Sequence, residues 1–224
     1  MSDVSPLRAP FTVGEELAHA ISHGVGAVLA IVGAIALVLD ASTRGALHVV
    51  GCAIYGATLI TLFLASTACH AAPVDMPRTR TWLQRVDHGA IYLQIAGTYT
   101  PFSLFVIPAP WGPRLLIAIW VLAGIGLLNT AHSLFTAVEG RRERAYRRRS
   151  LGLYLLMGWL AVVAFKPLVQ ALPAGPLALV LAGGAAYSIG VGFFLSKRKW
   201  SHSVWHGFVL AGAGAHFAAL FLLV

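Results

Sequence analysis

The chain has 224 residues, of which 58% are hydrophobic and only 11% charged, and its mean hydropathy is +0.78. Soluble domains carry about 25% charged residues, so an ordinary soluble enzyme is excluded. The net charge of +8 does not indicate a nucleic-acid partner, because the basic residues stand in short runs between long apolar stretches instead of spreading over a polar face.

Residues 1–18, MSDVSPLRAPFTVGEELA, mix acids and prolines and lack the basic-then-apolar order of a secretory signal, so they read as a mature tail. An α-helix rises about 1.5 Å per residue, and roughly 20 apolar residues therefore cross the hydrocarbon core. Seven such stretches follow the tail and make residues 19–224 one transmembrane domain: 19–39, 46–70, 87–107, 114–135, 150–170, 176–195 and 202–224. The runs are continuous and do not alternate at period two, which predicts an all-α seven-helix bundle and not a barrel. Trp82, Trp111, Trp200 and Trp205 fall near span ends, as interfacial anchors do. Cys52 and Cys69 both lie in apolar runs, with no CxxC motif and no disulfide framework.

Charge sets the expected orientation. With seven spans, the tail and the second, fourth and sixth loops share one side and hold thirteen of the 16 Lys and Arg residues, leaving Arg44, Arg114 and Lys166 opposite. The positive-inside rule then places the N-terminus in the cytoplasm and the C-terminus outside, as for a multi-pass protein of a bacterial inner membrane. The run RRERAYRRR at 141–149 reads as an orientation signal, with contact to anionic lipid as the other reading.

Ionisable groups inside spans are costly, so nine histidines in a chain with only eight acids are a functional signal. His19 and His23 open the first span, His70 closes the second, His88 opens the third, His132 closes the fourth, and His202 and His206 open the seventh. The topology brings all seven to one side, leaving His48 at the far side and His216 deeper in the bundle. Residues four apart share a helix face, which pairs His202 with His206, His19 with His23 and Ser66 with His70. Two imidazoles on one face and one from a neighbouring helix suit a zinc ion with an open fourth position; interfacial histidines satisfied by backbone and headgroups are the plain alternative. Asp87 stands in the same layer, where it is placed either as a general base or as a helix N-terminal carboxylate. Glu16 shares a face with His19 and His23 and reads as a partner to them or as a plain N-terminal charge. Cys69 reads as packing. The chain has no HExxH, GxSxG, phosphate-loop or dinucleotide motif.

EELAHAISHGVGA at 15–27, STACH at 66–70, VDHGAIYLQIAGTYTPF at 86–102, YLLMGW at 154–159 and HSVWHGFVLAGAGAHF at 202–217 resemble, in order and spacing, the blocks of the haemolysin III family. That family is the bacterial branch of the progestin and adipoQ receptor family. The resemblance implies seven transmembrane helices, a cytoplasmic N-terminus and a zinc site. It implies His70, His202 and His206 as metal ligands, Asp87 as the group that holds the metal-bound water, and Ser66 as a group that helps polarise a carbonyl. His19 stands where the receptor branch has Asn, which leaves Glu16, His19 and His23 as surrounding residues without an implied role. The long N-terminal domain of the receptors has no counterpart, so hormone reception is not implied.

Three functions follow as expectations. The first is an intramembrane zinc hydrolase of lipid amides, similar to the ceramidase-like activity of the receptor branch, with a membrane lipid as substrate. The second is the membrane-damaging, pore-forming activity in the family's name, against which seven spans and the lack of an evident soluble form both speak. The third is a sensor of membrane state in which the zinc is structural, since an open and a closed site look alike in sequence.

Overall fold

The structure, a computed structural model, describes residues 11–73, 75–136 and 140–224. Helix α1 spans Val13–Ala41 and starts inside the expected tail, because Thr12 and Glu15 form a reciprocal capping box that satisfies the first turn. Residues 1–10, with Arg8, lie outside the described residues. Helix α2 spans Ala46–Ala71 and stops ahead of Pro73. Helix α3, Pro77–Pro101, opens on a proline at its first turn, where a missing N–H costs nothing. It therefore begins well before the apolar run from 87 that the sequence suggested. At its far end Pro101 removes a backbone donor, and the chain widens into a π-helical turn over Phe102–Val106 closed by Ile107 N–H donating to Phe102 O at 2.7 Å.

Helix α4 covers Trp111–Phe135 and α5 covers Gly140–Gly158. The fifth span is not one continuous helix. After Gly158 it passes through a 3₁₀ segment, Leu160–Ala164, into the short α6, Phe165–Ala171. Tyr99 of α3 stitches this break, donating its hydroxyl to Gly158 O at 3.1 Å and accepting from Ala161 N–H at 2.8 Å. Such repair is what irregular backbone at membrane depth requires. Helices α7, Ala174–Leu195, and α8, Ser201–Phe221, complete the chain. No strand occurs among the described residues.

Among the described residues six rods are long and apolar enough to cross a membrane: α1, α2, α4, α5 with α6, α7 and α8. The seventh, α3, falls short in apolarity because the bundle encloses it. From Arg85 to Pro101 none of its residues is exposed, and Arg85, Gln94 and Thr100 are buried within protein. Polar side chains on α3 meet neighbouring helices and not lipid, so the rule that spans must be apolar on every face does not bind it. The outer face of α1 shows the opposite pattern, with Leu17, Ile21, Val25, Val28, Val32 and Ile35 all exposed. The protein is a multi-pass helical membrane bundle.

Neighbours run in the order α5, α4, α3, α2, α1, α8, α7, so the first and last spans meet beside the second. The core between them is built from Leu37, Tyr55, Leu59, Phe63, Ala213 and Leu220. Small residues set the spacing between rods. A Cβ on Gly97 of α3 collides with the Thr58 side chain of α2, whereas one on Gly152 of α5 meets nothing within 4 Å. Gly97→Ala is expected to cost about 1–3 kcal/mol and to lower the thermal midpoint in detergent, with Gly152→Ala unchanged; equal midpoints for the two variants contradict the α2–α3 contact.

Candidate metal centre

Five histidines from three helices meet at the end of the bundle where α1 and α8 begin and α2 ends. The ring of His19 lies 4.6 Å from that of His70 and 4.8 Å from that of His202, and His70 lies 5.3 Å from His202. One ligand atom from each of these three falls within 4.8 Å of the other two, a spacing that a metal ion can close. His206 is 4.8 Å from His202 and 5.1 Å from His70, and it stacks on His23 at 3.6 Å. Phe11 covers the outer side, 4.8 Å from His19 and 5.1 Å from His202. The tightest trio thus contains His19 where the sequence motif pointed to His206, and both sit in one cluster.

Two adjacent carboxylates hold the three helices together. Glu15 closes the Thr12 capping box and also accepts the Trp200 N–H at 2.8 Å, which fastens the start of α8 to the start of α1. Trp200 adopts φ 64, the left-handed bend that turns the chain into α8. Glu16 accepts from His70 Nδ1 at 2.8 Å and from the Arg80 guanidinium, joining α1 to the end of α2 and the start of α3. Arg80 partly neutralises a carboxylate that is only 9% exposed, and charge of this kind is tolerated in a bundle only when paired.

The same contacts set the His70 tautomer. A carboxylate accepts, so His70 Nδ1 carries the proton and Nε2 keeps its lone pair. The Ser22 hydroxyl donates to His19 O at 3.0 Å and lies 3.2 Å from His206 Nδ1. His19, fully buried, has no hydrogen-bond partner at either nitrogen among the described residues, and neither has His23, 4% exposed. Buried polar atoms without partners cost about 1–3 kcal/mol each, and a cluster of soft nitrogen donors at this spacing fits a zinc-like ion.

Asp87 of α3 stands near Ser66 of α2. Ser66 precedes His70 by one helical turn on the same face, so the pair stands beside the histidine layer. Cys69 is buried and belongs to no ligand group. Four histidines lie apart. His88 O accepts from the Tyr154 hydroxyl at 2.7 Å, His216 Nδ1 pairs with Gly212 O at 2.9 Å, His48 stacks on Phe105 at 4.2 Å, and His132 is exposed. Sequence reasoning missed Glu15, Ser22, Arg80 and Phe11. The T-x-x-E pattern at 12–15 carried the signal for Glu15, while the other three are defined only by contacts across helices.

The family described as Haemolysin-III related matches residues 11–217 of the chain. The chain belongs to that family. It is 41% identical over 214 residues to "Hemolysin-3" of Bacillus cereus, covering 95% of this chain and 93% of the relative. It is 37% identical over 209 residues to "Hemolysin-3 homolog" of Bacillus subtilis (strain 168), covering 92% and 93%. A more distant relative, "Monocyte to macrophage differentiation factor" of Homo sapiens, is 28% identical over 174 residues, covering 75% of this chain and 67% of that one. The capping pair and all five clustered histidines lie within the segment that matches the family.

Glu15→Ala removes the carboxylate half of the capping box and leaves the Thr12 and Trp200 N–H groups without their acceptor, at an expected cost of about 2–4 kcal/mol. Glu15→Gln keeps an acceptor and should lose less. Thermal unfolding followed by circular dichroism checks both, and an unchanged midpoint for Glu15→Ala contradicts the clamp.

Proposed function

We propose that the histidine cluster is a zinc centre and that the protein is an intramembrane hydrolase of a lipid amide. The observation that carries the metal reading is the tautomer that leaves Nε2 of His70 as an acceptor, beside a buried His19 with no hydrogen-bond partner at either nitrogen among the described residues. His70, His202 and His206 hold the ion, drawn from α2 and one face of α8. A zinc ion bound there lowers the pKa of a water toward about 7 and polarises a carbonyl. Asp87 would serve as general base toward a water at that site, and Ser66 of α2 would offer its hydroxyl to the carbonyl oxygen. Glu16 and Arg80 keep the His70 ring in register, and Phe11 limits access from outside the membrane. A centre inside a bundle with apolar outer faces takes its substrate most readily from the bilayer, which favours a lipid over a soluble amide.

The position of His19 supports a second reading. Its ligand atom lies as near to His70 and His202 as theirs do to each other, so it serves as a fourth protein donor in a closed, structural site.

Elemental analysis of chelator-free protein in mild detergent is expected to give about one zinc per chain, lost in His70→Ala, His202→Ala and His206→Ala. Asp87→Asn should keep its zinc and lose about 10²–10⁴-fold in hydrolysis of a ceramide-type amide. Full turnover in that variant rejects Asp87 as the base. If wild-type protein binds zinc without turnover and His19→Ala weakens the binding, the structural reading holds instead.

A further inference from the structure

A second polar site lies at the same end of the bundle, between α4 and α5, away from the histidine cluster. It is a cavity of about 230 Å³ whose one wall is Asn129, His132 and Thr136 of α4 and whose other is Arg142, Tyr146 and Arg149 of α5. The volume is below the roughly 300 Å³ of the smallest drug-sized pockets, so it suits a headgroup and not a whole lipid. Both walls repeat at about seven residues, the spacing that keeps side chains on one face over two helical turns. Among the described residues no carboxylate lines the cavity. The acid nearest in sequence on α5, Glu143, is turned away to pair with buried Arg85 of α3, and that guanidinium in turn lies 4.3 Å over the Tyr146 ring. The two cavity arginines are exposed and have no ion-pair partner among the described residues.

The same helix supplies an apolar track to this cavity. Ile117, Val121, Ile125, Leu128 and Phe135 of α4 are all exposed, from 52% to 89%, and follow one another at intervals of three, four and seven residues along one lipid-facing stripe. His132 and Thr136 stand beside the end of that stripe. An acyl chain lying along it brings a headgroup to the arginines without leaving the hydrocarbon.

We propose that this cavity binds the phosphodiester of an anionic membrane lipid, with Arg142, Arg149 and His132 donating to the phosphate oxygens and Asn129 to the headgroup. Charge-assisted contacts from guanidinium to phosphate are the strongest available to such a ligand. The stripe on α4 is what selects a lipid over free phosphate. The site is independent of any reading of the histidine cluster.

Native mass spectrometry of the purified protein titrated with phosphatidylglycerol tests it, with phosphatidylcholine and inorganic phosphate as the other two probes. Arg142→Gln/Arg149→Gln is expected to weaken phosphatidylglycerol binding by about tenfold or more relative to Arg141→Gln/Arg148→Gln. The control removes the same charge at the same spacing from a neighbouring face of α5. Ala145 also lines the cavity, and Ala145→Phe fills it with every charge kept and should weaken binding as well, which covers the case where the arginine pair fails to fold. Equal losses for the two arginine pairs, equal binding of phosphatidylcholine, or displacement of the lipid by millimolar inorganic phosphate each overturn the proposal.

Discussion

Two carboxylates in the first turn of α1 hold three other parts of the chain against it. Glu15 takes the backbone N–H that begins α8, and Glu16 takes the histidine that ends α2 and the arginine that begins α3. Helices in a bilayer gain little from hydrophobic contact with each other, because lipid is as apolar as they are. Polar contacts and close packing of small residues therefore set which helices meet. Here the polar contacts concentrate at one end, and the histidines lie in the same turns. The arrangement that closes the bundle is also the arrangement that gathers its nitrogen donors.

Enclosure decides what chemistry each polar group has available. Arg85, Asp87 and Gln94 are placed on the one rod whose surface is covered by other helices, so they stay in the bundle without facing hydrocarbon. Outside that shelter the charged residues sit at or near rod ends, and the long exposed faces of α1 and α4 are apolar. Two sites of different character result at the same end: nitrogen donors packed between α1, α2 and α8, and guanidinium groups open to the membrane surface between α4 and α5.

Much of this was legible in the sequence. Apolar run length gave seven rods, and placing them antiparallel was enough to bring His19, His23, His70, His202 and His206 into one layer. The i,i+4 pairs were readable because helix periodicity is fixed by the backbone. What failed was anything set by a partner. The polar stretch of α3 from Arg85 to Pro101 is tolerated because other helices cover it, which hydropathy does not measure. The break after Gly158 is visible only with Tyr99 in place to satisfy it. Glu16 stood between a histidine partner and a plain helix-terminal charge because His70 and Arg80 are far from it in the chain. The choice between His19 and His206 as neighbours of His70 and His202 depends on ring positions, which sequence spacing does not fix.

In the proposed zinc centre the cluster presents imidazole nitrogens to a single ion. X-ray absorption at the zinc edge on the detergent-purified wild-type protein tests it most directly. The proposed centre gives zinc surrounded by nitrogen and oxygen alone, at about 2.0–2.1 Å for nitrogen, with the multiple-scattering pattern of imidazole rings, and no zinc signal in His70→Ala. Protein that retains no zinc, or zinc with a sulfur neighbour near 2.3 Å as Cys69 would supply, would contradict it.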